Sequence, residues 1–301
     1  MSEARNYLIV TASYWAFTLT DGALRMLVLL HFFELGYTPF QLAFLFVFYE
    51  LAGVFANLVG GWLTVRFGIA RMVSAGIVLQ ICGLLFLSEL SSGWTEMASV
   101  IWVFAAQGIA GIAKDFTKTA SKTAIKLISI SDHNQLFSWV AWFTGSKNAM
   151  KGVGFFAGGI MLDTFGFTGS LYGMAGMCAC LLIAVVQFLP NNLGKLTASR
   201  DISEFFSKSS GINLLSAARI FLFGARDIWF VVGVPVFLYQ TGWSFWEVGG
   251  FLAVWTIFYG FIQGLAPRMI ARSPDGLSKE IPASRAMCCA SGPRSGTSWH
   301  R

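Results

Sequence analysis

Apolar residues fall in long runs separated by short polar breaks. Eight runs are long enough to cross a bilayer: 7–33, 42–64, 72–90, 97–122, 137–162, 171–190, 213–239 and 246–269. A spanning helix needs about 20 mostly apolar residues, whereas a spanning strand needs only about 10 in strict alternation. Because a backbone in lipid must satisfy its own polar groups, helices and closed barrels are the only candidates, and runs of this length exclude the barrel. The pattern therefore predicts an all-α, polytopic membrane protein.

The breaks alternate in charge. Arg66 and Arg71, then Lys122 and Lys126, then Lys195, Arg200 and Lys208, then Arg268 and Arg272 fall on one side, while the breaks around Gly36, Ser92, Gly166 and Gly242 carry no Lys or Arg. By the positive-inside rule the amino terminus, with Arg5, is expected in the cytoplasm and the chain in the inner (plasma) membrane. No small-residue cleavage site follows the first apolar run, so no signal peptide is expected.

Sliding the chain on itself by 206 residues aligns Phe17 with Phe223, Asp21 with Asp227, Gly36 with Gly242, Asn57 with Gln263 and Arg66 with Arg272. The seventh and eighth runs thus repeat the first and second in parallel orientation. The expected organisation is a six-helix bundle over 7–190, a cytoplasmic loop over 191–212, and the first two helices of a second bundle over 213–272. A unit of that length used twice requires roughly 410 residues and twelve spans by the logic of parallel repeats. Residues 273–301 are small, polar and aperiodic, and read as a non-native or frameshifted tail on a truncated chain.

Composition agrees: 55% of the 301 residues are hydrophobic, 16% aromatic and only 12% charged, where soluble domains carry about 25% charged residues. The net charge of +6 sits largely in short loops and inside helices, which argues against a nucleic-acid surface. The five cysteines form no ligand or disulfide framework, and His31, His133 and His300 have no metal-binding spacing. A membrane-embedded enzyme would need a nucleophile, a base or a metal cluster, so no enzymatic activity and no cofactor are expected.

An ionisable side chain at membrane depth costs several kcal/mol unless it faces protein or water, which makes each one a candidate for function. The basic ones are Arg25, Lys114, Lys118, Lys147, Lys151, Arg219 and Arg226; the acidic ones are Asp21, Glu50, Asp115 and Asp227. Lys114, Lys118, Lys122 and Lys126 recur every four residues along one broad helix face, and Lys147 and Lys151 repeat that spacing on the next helix. Repulsion within such a ladder would be relieved by an anion with several oxygens. Simple snorkelling to the interface is the favoured account of the outer pair, Lys122 and Lys126.

Asp21 and Arg25 lie at the spacing of an intrahelical ion pair, and Arg226, Asp227 and Arg219 form the matching cluster in the seventh run. Glu50 has no evident local partner; desolvation of such a carboxylate favours its protonated form and makes it a candidate proton carrier. The glycines of the fifth run, Gly152, Gly154, Gly158 and Gly159, are expected to serve close helix packing.

The segment GWLTVRFGIAR from Gly61 to Arg71 resembles the loop signature of the major facilitator superfamily, with Arg66, Gly68 and Arg71 in place and Val65 where the signature has aspartate. Gln107 with Gly108 resembles that family's fourth-helix motif, with Phe104 at its arginine position. Gly154, Gly158 and Gly159 resemble its fifth-helix antiporter motif without the proline. This resemblance implies a major facilitator-type bundle with about eight of twelve helices.

More specifically, YWAFTLTDGALRMLVLLHF from Tyr14, GIAKDFTKTASKTAIK from Gly111, TGSKNAMKGVGFF from Thr144 and SAARIFLFGARDIWFVVGVPV from Ser216 resemble the organoarsenical efflux permeases, the ArsJ family, over about 5–268. That resemblance implies export of 1-arseno-3-phosphoglycerate, which a glyceraldehyde-3-phosphate dehydrogenase makes when arsenate replaces phosphate, and hence arsenate resistance. Such an ester is oxygen-rich and anionic, matching Lys and Arg ligands, whereas trivalent arsenic would demand thiolates. The expected partners are the bilayer, the small anion and, functionally, that dehydrogenase. An antiporter for another organic anion, such as a phosphorylated three-carbon acid, would need the same cations. An inactive truncated transporter is the remaining alternative.

Overall fold

The fold was analysed in a computed structural model, which describes residues 2–91, 93–128, 133–190 and 228–269, together with 214, 217, 218, 221, 222 and 225. Every regular element among these residues is helical: α1 (Ser2–Glu34), α2 (Pro39–Phe67), α3 (Ile69–Ser88), α4 (Glu96–Ile128), α5 (His133–Phe188), a π-helical segment (Ile228–Gly233), α6 (Val234–Gln240) and α7 (Phe245–Met269). Among the described residues, six helices contain stretches long and apolar enough to cross a membrane. At 1.5 Å per residue the 33 residues of α1 extend about 50 Å, well beyond the roughly 30 Å hydrocarbon core.

The fifth and sixth apolar runs form α5 as one unit, broken at Gly166 with φ 66°. Ser170 Oγ donates to the carbonyls of both Gly166 and Met161, the latter at 2.7 Å. In a straight helix residues nine apart lie about 13.5 Å apart along the axis, so the bond to Met161 requires the chain to double back at Gly166. The left-handed φ favours glycine there. The polar tail and the central loop, expected at 273–301 and 191–212, lie outside the described residues. Of the seventh run, the structure shows its end, where the π segment passes into α6 just before Pro235.

The 206-residue repeat is visible in the backbone. At the end of α1 the amides of Leu35, Gly36 and Tyr37 donate to the carbonyls of His31, Phe33 and Phe32. At the end of α6 those of Thr241, Gly242 and Trp243 donate to Phe237, Tyr239 and Leu238, each partner displaced by the same 206. Both turn glycines have positive φ, 88° at Gly36 and 94° at Gly242. The next helix then starts in both places with a capping box. The side chains of Thr38 and Gln41 bond reciprocally to each other's backbone amides, as do those of Ser244 and Glu247. Even the polar pair Asn57 and Gln263 is used alike: Asn57 accepts from Thr119 of α4 at 3.2 Å, Gln263 from Asn148 of α5 at 2.7 Å.

Packing relies on small residues, since lipid tails are as apolar as Leu and association needs close backbone approach. A Cβ on Gly154 would meet α1 at the Leu19 carbonyl and at Ala23 N and Gly22 Cα, both 3.2 Å away; one on Gly158 would meet Ala23. Gly152 faces Ala253 and Thr256 of α7, and Gly145 and Gly260 stand against each other's carbonyls. So α5 packs on α1 on one side and on α7 on another, and α4 packs on α2 and α3. Hydroxyls within the helices, among them Ser13, Thr18, Thr117 and Thr256, donate to carbonyls four residues back and so need no water.

Candidate functional site

Where α2 crosses α4, two glycines remove the side chains that would hold the helices apart. The Tyr49 carbonyl occupies the space a Cβ on Gly111 would need, and an Asp115 carboxylate oxygen fills the notch left by Gly53. This approach sets Tyr49 and Glu50 of α2 beside Lys114, Asp115 and Lys118 of α4. Helix α1 adds Asp21 and Arg25 from the buried centre of the bundle.

The resulting network crosses three helices. Arg25 Nη2 donates to Glu50 Oε1 at 2.6 Å, and Lys114 Nζ donates to Glu50 Oε2 at 3.2 Å. Lys114 also lies 3.7 Å from Asp115 Oδ2, while Lys118 bonds the other Asp115 oxygen at 2.5 Å. The Tyr49 hydroxyl donates to Asp21 Oδ1. Over the ring of the same tyrosine stand the Arg25 guanidinium and the Lys114 ammonium, each 4.1 Å from its centroid, a distance at which the ring quadrupole attracts a cation. Lys151 of α5 lies over Phe155 at 5.5 Å, and its carbonyl packs against Gly22 of α1.

Two expectations change. The acid that pairs with Arg25 is Glu50, from a different helix, and Asp21, four residues away on α1, is bound instead by Tyr49. Glu50 is accordingly not an acid without a partner but a carboxylate held by two cations. The lysine ladder grades as its depth suggests: Lys114 and Lys118 are partly buried in ion pairs, and Lys122 is exposed. Lys147 is partly buried on α5. Arg219, Arg226 and Asp227 lie outside the described residues, as does the side chain of Lys126.

Tyr49, Gly53 and Gly111 were not singled out from the sequence. Tyr49 adjoins an intramembrane glutamate, a faint signal, and the glycines lie in helices already rich in small residues. Among the described residues no group of three or more His, Cys, Asp or Glu side chains could hold a metal ion.

Electrostatically, Arg25, Lys114 and Lys118 balance the three carboxylates of Asp21, Glu50 and Asp115, and Lys151, whose carbonyl packs against Gly22 next to Asp21, adds a fourth cation nearby. Its interior is shut, with Arg25 3% and Asp115 4% exposed, but Glu50 is 40% exposed and forms an accessible edge. Such a site can hold an anion by charge and hydrogen bonds. Near the end of α1, among breaks without Lys or Arg, lies a cavity of about 650 Å³ lined by His31, Tyr37, Trp94, Glu96 and Phe167. His31 stacks there on Phe167 at 4.0 Å.

A polytopic helical bundle with a charged cluster inside its apolar interior defines the class as an integral membrane protein. The chain matches the profile of the Major Facilitator Superfamily over residues 8–290, and it belongs to that family. Among solved structures, tetrameric PepTSo2 is similar with a TM-score of 0.50 and 16% identity, over 89% of this chain and 57% of that one. A D-xylose-proton symporter is similar with a TM-score of 0.47 and 12% identity, over 87% of this chain and 65% of that one. Identity this low speaks to the fold alone, and the chain spans less than two thirds of either length. A search of curated proteins found no match.

Proposed function

We propose that this chain is a secondary transporter that moves a small, oxygen-rich organic anion, and that the anion is the arseno-ester 1-arseno-3-phosphoglycerate, exported from the cytoplasm. The observation that carries this reading is the charged cluster around Tyr49, joined across α1, α2 and α4, with Lys151 of α5 packed against Gly22 of α1 next to Asp21. Lysine and arginine meet phosphate and arsenate oxygens as point charges and bidentate forks respectively. Lys147, one turn before Lys151 on α5 and partly buried, is assigned to the same site. Arg219, Arg226 and Asp227 belong to the run that repeats α1, with Asp227 at the position of Asp21, and are assigned to the same site, while Asp21, Glu50, Asp115 and Asp227 supply ion pairing or proton coupling. The amino terminus is cytoplasmic, the membrane is the inner (plasma) membrane, and a glyceraldehyde-3-phosphate dehydrogenase supplies the substrate.

The test is export from liposomes that hold the purified chain and enclose glyceraldehyde-3-phosphate dehydrogenase, its triose phosphate, arsenate and NAD+ as the hydride acceptor. Arsenic should leave the vesicles, and Lys114→Met or Lys118→Ala should slow this at least about tenfold, the loss of one charged hydrogen bond. Export by both variants at the rate of the unaltered chain would overturn the site. Export blocked equally well by enclosed 3-phosphoglycerate would assign the site to phosphorylated three-carbon acids at large.

A further inference from the structure

The three carboxylates of the cluster are not equivalent. Asp115 is 4% exposed, wedged against Gly53 and bonded to Lys118; Asp21 is 4% exposed and takes its hydrogen bond from the Tyr49 hydroxyl. Neither can leave its place without rearranging a helix contact. Glu50 has the longer side chain, is 40% exposed, and nonetheless binds Arg25, which is 3% exposed, and Lys114, which is 17% exposed. Any anion that approaches those two cations from the accessible edge meets the Glu50 carboxylate first.

We propose that Glu50 is a built-in competitor for the anion site: its carboxylate holds Arg25 and Lys114, and a substrate binds them by displacing it. The proposal rests on the anion-transport reading above and says which anions pass. The cations keep their remaining contacts: Lys114 still has Asp115 at 3.7 Å, and both still lie over the Tyr49 ring. A singly charged carboxylate offers these cations nothing that Glu50 does not already offer. A phosphate or arsenate ester, with up to two charges and three oxygens, does. The competitor therefore selects doubly charged oxyanion esters and rejects monocarboxylates.

The experiment is titration of the full chain in lipid nanodiscs with 3-phosphoglycerate and, separately, with lactate. Glu50→Gln keeps the side-chain shape and removes the competing charge. It should bind 3-phosphoglycerate at least tenfold more tightly than the unaltered chain and acquire measurable lactate binding. Unchanged or weaker 3-phosphoglycerate binding by Glu50→Gln, together with weakened binding by Lys114→Met, would overturn the competitor while leaving the anion site standing. Binding unaffected by either substitution would overturn both. Should Glu50→Gln not fold, infrared difference spectra of the unaltered chain, labelled with carbon-13 in its glutamate carboxyls, decide the matter. A shift of the labelled carboxylate band on adding 3-phosphoglycerate is expected, and no shift would overturn the proposal.

Discussion

Tyr49 makes separable contributions that two substitutions distinguish. Tyr49→Phe removes the hydroxyl that donates to the buried Asp21 carboxylate and keeps the ring under Arg25 and Lys114. A hydrogen bond to a charged group contributes about 1.5–3 kcal/mol, and that is the expected loss of stability. Tyr49→Leu also removes the ring. Two cations, each 4.1 Å from the centroid, contribute about 0.5–2 kcal/mol apiece where desolvated, so the second step should cost a further ~1–4 kcal/mol before any packing loss. The order unaltered, Phe, Leu should appear in unfolding of the purified protein in mixed lipid–detergent micelles. Anion affinity should separate differently, with Phe within about threefold of the unaltered chain and Leu weaker by about tenfold, because only Leu leaves both cations without their platform. A Phe variant as stable as the unaltered chain would refute the Asp21 contact, and a Leu variant no worse than Phe would refute the cation–ring contacts.

Gly154→Val should lower the unfolding midpoint by an amount equivalent to about 1–3 kcal/mol, because its side chain would press into the α1 backbone around Leu19, Gly22 and Ala23. Gly176→Ala, at a position with open space around the missing Cβ, should stay within about 0.5 kcal/mol of the unaltered chain. The two capping boxes should respond as equivalents: Thr38→Ala and Ser244→Ala are each expected to weaken their helix starts by about 0.5–2 kcal/mol. Faster hydrogen exchange at the Gln41 amide in the first and the Glu247 amide in the second would show it, and an effect at only one of the two sites would count against their equivalence.

The membrane spans among the described residues, the uncharged breaks at Gly36, Gly166 and Gly242, and the repeat were legible without coordinates. The bilayer imposes a length on each apolar run, and a turn requiring positive φ favours one residue type, so both features are local. For the same reason the set of charges at membrane depth could be read directly, since burial of an ionisable group is costly wherever the chain goes. The pairing of those charges was decided only in three dimensions. Glu50 meets Arg25 from 25 residues away and Lys114 from 64 residues away, and Tyr49 joins both to Asp21. A rule of spacing sees one helix at a time, and along α1 it proposed Asp21 for Arg25. Which side chains meet across helices depends on where the backbones cross and how closely, and here two small residues, Gly53 and Gly111, bring α2 onto α4. The sequence by itself thus determined which charges lie within the apolar runs; the helix crossings alone decided that Glu50 holds both Arg25 and Lys114.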